Sequence, residues 1–226
     1  MMKVAVIRFP AANCDLDALH AMRDVVKTDV QLVWHTDFNG SDFDAAILPG
    51  GFSYGDHLRA GVIAAFSPAM KEVREMAGEG KLVLGICNGF QILTEAGLLP
   101  GALLRNASTL FACKWVTLKC ESTKARFAGN LGKGQLVHVP IAHGEGRYVN
   151  DEKALDELEQ NNQIIFRYCD EKGAITPDSN PNGSMRNIAG ICNLDGNVMG
   201  MMPHPERASE AILGGTDGLN ILKILR

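Results

Sequence analysis

The feature that most restricts what this chain can become is the stretch KLVLGICNGFQILTE at positions 81–95. Leu82, Val83, Leu84 and Ile86 make a short apolar strand pattern that runs into Cys87, and Phe90, Ile92 and Leu93 then share one side of an amphipathic helix. A strand, a cysteine and a helix meet at one point. Gly85 and Gly89 stand two residues to either side of the cysteine, the spacing of a nucleophile elbow, whose tight strand-to-helix turn leaves no room for flanking side chains. A thiol there faces the first N–H groups of the following helix, whose partial positive charge favours the thiolate. A buried structural cysteine would satisfy the same five residues, so the elbow needs support from the rest of the chain.

The flanking sequence alternates strands and helices. Val4 to Phe9 is a continuous apolar run suited to a strand buried on both faces, and Asp15 to Val26 carries Leu16, Leu19, Met22, Val25 and Val26 at helical spacing. Val30 to Trp34 and Asp44 to Leu48 read as further strands, and Pro68 marks the first turn of a helix opened by Ser67. Alternation of this kind predicts an α/β fold with a flavodoxin-like, doubly wound, mostly parallel sheet. Between the third strand and that helix lies PGGFSYGDHLRAG, positions 49–61, too rich in glycine for a mere tight connection, although a flexible surface loop has the same composition. After the helix that ends near Ala96 the texture changes. Cys113–Cys120, Gln135–Ile141, Ile164–Cys169, Ile188–Asn193 and Val198–Met202 are short β-like runs separated by turn signals, which predicts an added antiparallel portion in the C-terminal half. Asp151 to Gln160 reads as a surface helix and Thr216 to Arg226 as a closing one.

With 226 residues and 46% apolar content, the chain suits a single domain over 1–226 with one large core. A net charge of −4 without any basic block argues against nucleic acid or an anionic membrane as partner. The N-terminus has only a brief apolar run, so neither a signal peptide nor a membrane span is expected and a cytoplasmic protein is. The six cysteines show no C-x-x-C spacing and no H-E-x-x-H accompanies them, so no metal site is expected and all but Cys87 read as small core residues.

A second chemical stretch is MMPHPER at 201–207. Pro205 biases His204 toward an extended backbone, and in an extended H-P-E segment the side chains of His204 and Glu206 project to the same side. On its own Pro-His-Pro is a rigid loop with an exposed histidine. Together with an elbow cysteine it supplies a thiol, an imidazole and an orienting carboxylate, the set required for nucleophilic catalysis.

LGICNGFQIL followed by MPHPER resembles the class I (triad) glutamine amidotransferase family. LPGGFSYGDHLRAG, FACKW, PIAHGEGRY and NPNGSMRNIAGICN narrow the resemblance to glutaminase subunits of phosphoribosylformylglycinamidine synthases, enzymes of purine biosynthesis, and the match runs from Val4 to the C-terminal helix. Ala11 and Ala12 stand where the family pattern has glycine and serine, and His57 where it has an aromatic. The resemblance implies that Cys87 would attack the side-chain amide of glutamine, that His204 would move protons and that Glu206 would orient it. It also implies oxyanion donors at the backbone of Asn88 and of Gly50 and Gly51, and places Gln91, His143 and Gly144 around the substrate. Gln91 as a helix-capping residue and His143 as a plain loop residue remain open alternatives.

The same resemblance implies no cofactor on this chain and ATP with Mg on a large synthetase partner, with a small bridging subunit beside it. Consistent with that, no G-x-x-x-x-G-K-[ST] loop occurs here. A docking face is expected around Phe52, Tyr54 and Arg59 and along Gly144 to Tyr148. Two other classes stay in view: a cysteine peptidase or thiol redox protein of the same fold, and a silent flavodoxin-like binding module. The His204–Glu206 pair opposes the module, and the glycine loop with Gln91 and AHGEG opposes the other cysteine enzymes.

Overall fold

The computed structural model describes residues 2–226. Among the described residues there are eleven strands: β1 Lys3–Arg8, β2 Asp29–Trp34, β3 Ala45–Leu48, β4 Leu82–Ile86, β5 Ala102–Leu104, β6 Ala112–Cys120, β7 Leu136–His143, β8 Arg147–Val149, β9 Ile164–Cys169, β10 Ile188–Cys192 and β11 Val198–Met201. The helices are α1 Asp15–His20, α2 Val62–Ala65, α3 Pro68–Gly78, α4 Asn88–Glu95, α5 Glu152–Gln160 and α6 Leu219–Leu222. Nine strands form one sheet in the order β2-β1-β3-β4-β11-β10-β9-β6-β7, and β5 pairs with β8 in a small separate ribbon. From β2 to β11 every neighbouring pair is parallel; from β11 to β7 every pair is antiparallel. The expected parallel half with an antiparallel addition is therefore the architecture observed.

Burial explains the change of pattern along the sheet. All residues of β3 and β4 are buried, as helices on both faces of a parallel sheet require. β7 instead alternates buried positions with exposed or half-buried ones, the mark of a strand with one face toward water. α5 is capped as its sequence suggests, with the Asp151 carboxylate accepting the Ala154 N–H at 2.8 Å.

Several local expectations need correction. The helix read over 15–26 is α-helical only to His20 and continues as a wider π turn over Ala21–Val26, closed by Lys27 at φ 63° and its N–H on the Met22 carbonyl. The closing helix is shorter than Thr216–Arg226, because the Asp217 carboxylate is drawn to the His138 N–H on β7 and helix begins only at Leu219. β5, β8 and α2, of three or four residues each, are too short to show a period. Cys113 is exposed, unlike the other four cysteines expected in the core. Ala11 takes φ 60°, a conformation suited to the glycine that the family pattern carries there.

Candidate active site

Parallel pairing brings distant sequence together at one end of the sheet. β4 and β11 are neighbours in register, Ile86 opposite Met201, and the Cys87 N–H donates to the Met201 carbonyl at 2.8 Å. The segments leaving these two strands, Cys87 and Pro203-His204, therefore emerge side by side, with the Gly50-Gly51 turn leaving β3 next to them. This is the carboxyl end of the parallel strands, where open α/β sheets place their ligands.

The elbow is strained as its glycines suggest. Cys87 sits at φ 51°, ψ −104° and is buried. A Cβ on Gly85 would lie 2.7 Å from the Gly89 carbonyl carbon, and one on Gly89 would lie 1.9 Å from the Leu48 carbonyl oxygen, so both flanks must be glycine. Strain of this kind costs about 1–3 kcal/mol and persists only where surrounding structure enforces it. Gly50 passes between the two catalytic candidates: a Cβ there would be 2.7 Å from His204 Cε1 and 3.3 Å from Cys87 Cβ.

His204 is held from both sides. Its N–H donates to the Pro140 carbonyl at 2.8 Å, and its ring Nδ1 bonds the Glu206 carboxylate at 2.6 Å. The backbone at His204 is extended, φ −104° and ψ 90°, but Pro205–Ala208 forms a 3₁₀ turn rather than continuing the extension. That turn, with Pro205 at its start, is what folds Glu206 back onto the imidazole. Nε2 and Glu206 Oε2 are buried without a protein hydrogen-bond partner. Burial works against a charged imidazole, yet the charges of Glu206 and Cys87 outweigh it and hold His204 above its ordinary pKa of 6.5.

A cleft of about 330 Å³ opens over Cys87, lined also by Gly51, Gln91, His143 and Gly144. Asn88 opens α4, so its backbone N–H belongs to the first-turn donors that have no partner inside the helix. Its side chain ties the elbow to the glycine loop, accepting the Ser53 N–H at 3.2 Å. Gln91 does not cap the helix: its amide bridges Asn88 Nδ2 at 2.8 Å and the Glu145 carbonyl at 2.6 Å, fastening α4 to the loop after β7. Nor is His143 a plain surface residue, being almost fully buried between two asparagines. Nδ1 lies 3.1 Å from Asn106 Oδ1 and Nε2 3.5 Å from Asn182 Nδ2, which is satisfied by a neutral ring donating at Nδ1 and accepting at Nε2. Gly146 faces that ring so closely that a Cβ would lie 2.4 Å from it. The imidazole is thus a structural latch at the wall of the cleft.

Burial, helped by the nearby His204 charge, lowers the His143 pKa to about 4. Between that value and the ordinary 6.5 the unfolded chain binds a proton that the folded chain refuses, so this residue makes stability rise with pH across the window. Acidification through it should cost stability with a limiting slope of about 1.4 kcal/mol per pH unit. Denaturant melts from pH 7 to pH 4 should show the slope flattened in His143→Gln; an unchanged slope would assign it elsewhere.

Sequence reading passed over several residues of the cleft. Asp56, Arg105, Phe111 and Glu145 also line it, and burial together with the Glu145 charge raises the Asp56 carboxyl to about 6. Asp56, Phe111 and Glu145 lay within stretches already singled out as glycine-rich or family-like, whereas Arg105 comes from a segment without any pattern. Tyr148, expected on a docking face, is fully buried with its hydroxyl on the Pro100 carbonyl and cannot anchor a partner.

Comparison with known proteins now bears on this geometry. Residues 1–214 match the model of the CobB/CobQ-like glutamine amidotransferase domain. The chain belongs to the glutamine amidotransferases. A relative in Moorella thermoacetica named phosphoribosylformylglycinamidine synthase subunit PurQ is 57% identical, covering 98% of this chain and 94% of that one. Another of the same name in Aquifex aeolicus is 54% identical, covering 96% of each. Among solved structures, a chain of PurLQS from Thermotoga maritima superimposes with a TM-score of 0.87 at 42% identity over 100% of this amidotransferase and 98% of that chain. Among the described residues of the amidotransferase, no helix is long and apolar enough to cross a membrane.

Proposed function

We propose that this amidotransferase is the glutaminase subunit of a phosphoribosylformylglycinamidine synthase. It hydrolyses glutamine to glutamate and ammonia through Cys87, His204 and Glu206 and passes the ammonia to an ATP-dependent synthetase subunit in purine synthesis. The observation that carries the chemistry is the buried His204–Glu206 bond of 2.6 Å, with the other ring nitrogen unpartnered next to a cysteine on a strained elbow. The names and near-complete coverage of the relatives support the choice of partner reaction.

Cys87 Sγ attacks the γ-amide carbon of glutamine. The resulting oxyanion is met by the backbone N–H groups of Asn88 and the Gly50-Gly51 turn, and collapse expels nitrogen as ammonia with a proton from His204 Nε2. His204 then takes a proton from water as that water attacks the thioester carbonyl, releasing glutamate and the thiol. Glu206 keeps the proton on Nδ1 and so keeps Nε2 facing the reaction. Gln91, His143 and Gly144 shape the cleft around the amino-acid end. ATP and magnesium belong to the synthetase, and a small bridging subunit completes the complex. At the cleft, Phe52 and Phe111 expose large apolar surface, which suits a rim covered by that partner.

The test is reconstitution. With the synthetase and bridging subunits present, glutamine-dependent formation of the amidine should require this chain, and ammonium-dependent formation should not. Glutamate release that stays at background in the full complex would overturn the proposal.

A further inference from the structure

A second cavity, separate from the cleft over Cys87 and sharing no lining residue with it, reaches Glu206. This cavity, of about 420 Å³, is lined by Glu206 together with Asp17, His20, Trp115, Arg207 and Glu210. Beside Glu206 lies a second thiol, Cys14, from the loop after β1. Its N–H donates to the Gly50 carbonyl at 3.3 Å, and a Cβ on Gly50 would be 3.2 Å from its sulfur. One ligand atom each from Cys14, His204 and Glu206 lie within 4.8 Å of one another, all three residues being buried. Glu206 spends one carboxylate oxygen on His204 and leaves Oε2 buried with no protein partner. The remaining neighbours of the sulfur are Asn13 Oδ1 at 3.3 Å and Arg207 Nη2 at 3.1 Å, the guanidinium being anchored on Asp17 at 3.0 Å.

We propose that Cys14, His204 and Glu206 form an inhibitory site for a divalent cation of the zinc class, entered through the second cavity and not through the glutamine cleft. A thiolate, an imidazole and a carboxylate are zinc's preferred donors, bound at about 2.0–2.3 Å, with water in the fourth position. Small side-chain rotations bring donors already this close onto a common centre. The cavity's three carboxylates, Asp17, Glu206 and Glu210, outnumber its two cationic groups, Arg207 bonded to Asp17 and His20 bonded to Glu210, and favour entry of a cation. Binding displaces the Cys14 thiol proton, which burial otherwise holds in place, so affinity rises with pH. The cation also competes with the proton shared by His204 and Glu206, and an imidazole fixed in this way cannot carry protons. Inhibition rests on the triad reading above; cation binding does not.

Cobalt(II) added to the full-length chain tests the site, because a thiolate ligand gives a near-ultraviolet charge-transfer band that zinc then removes. The band should appear at one equivalent in the wild type, in Cys87→Ala and in the exposed control Cys113→Ser. It should be absent in both Cys14→Ser and Cys14→Ala, with zinc affinity by calorimetry reduced at least ~10-fold. Far-ultraviolet circular dichroism checks that both variants remain folded, and the two substitutions together guard against loss of one to misfolding. A band that survives in the Cys14 variants but vanishes in Cys87→Ala would place the metal on the elbow thiol and overturn the proposal, as would no band in any variant. Zinc should lower kcat for glutamine hydrolysis without raising KM. If the Cys14-dependent band is present and hydrolysis is unaffected by zinc, the site stands and the assignment of His204 and Glu206 to catalysis falls.

Discussion

Cys87→Ala should reduce glutamate release by at least ~10⁴-fold while leaving the chain folded and able to join its complex. The sulfur is the only nucleophilic atom at the elbow, and its removal takes nothing from the packing that holds Gly85 and Gly89 against β3 and α4. His204→Ala should cost ~10²- to 10⁴-fold, the range for a lost general acid–base. Glu206→Gln should cost less than His204→Ala, since the amide oxygen can still accept from Nδ1 and keep the ring oriented. The measurement is steady-state glutamate release in the reconstituted complex, with ammonium-dependent synthesis as the internal control. A Cys87→Ala rate within tenfold of wild type would move the nucleophile to another residue. Loss of ammonium-dependent synthesis in the same variant would instead mean that the chain does more for its partner than supply nitrogen.

The second large effect is on stability. Alanine in place of a helix-interior glycine ordinarily stabilises by about 0.5–1 kcal/mol. Gly89→Ala should do the opposite, because its Cβ would lie 1.9 Å from the Leu48 carbonyl oxygen, a backbone atom of β3 that no rotamer change can move aside. Separation of α4 from β3 is then forced, at a cost of about 1–3 kcal/mol or more. Leu48 leads directly into Pro49 and Gly50, so the same shift displaces the turn between Cys87 and His204 and should depress activity further. Gly78→Ala is the matched control: it lies at the end of α3 with nothing within 4 Å of the added carbon, and should be neutral or stabilising. Chemical melts of the two variants should move in opposite directions. Equal stability of Gly89→Ala and wild type would mean that the approach of α4 to β3 is looser than described.

Much of this was legible in sequence because the relevant signals are local. The strand–cysteine–helix junction shows itself through five adjacent residues, and the buried parallel strands through unbroken apolar runs such as Val4 to Ile7. The change from parallel to antiparallel pairing was readable from shorter runs and turn residues after Cys113. What sequence did not reveal depends on spatial neighbours. His143 is neutral and latched because Asn106, from a segment without a motif, and Asn182, within NPNGSMRNIAGICN but given no role there, close on its two nitrogens. Glu206 meets His204 through a 3₁₀ turn rather than through alternation along a strand. Cys14 looked like one small core residue among several, and only the fold brings it to the imidazole. Tyr148 looked like an interface aromatic, yet it stacks on Phe90 beneath the surface.

The place of β11 in the sheet has a consequence for how the protein is made. Residues 198–201 insert between β4 and β10, so the most C-terminal of the described strands fills the middle of the sheet. Until it does, the elbow thiol lacks His204, the base proposed for it, and on that proposal a nascent chain or one truncated before β11 should not hydrolyse glutamine however well its first half has folded. During that interval the facing edges of β4 and β10 lack their native partner, and unpaired edges of buried strands are sites of misassociation. Chains stopped short of Val198 should therefore be both inactive and dependent on chaperones, which couples the onset of activity to synthesis of residues 198–206.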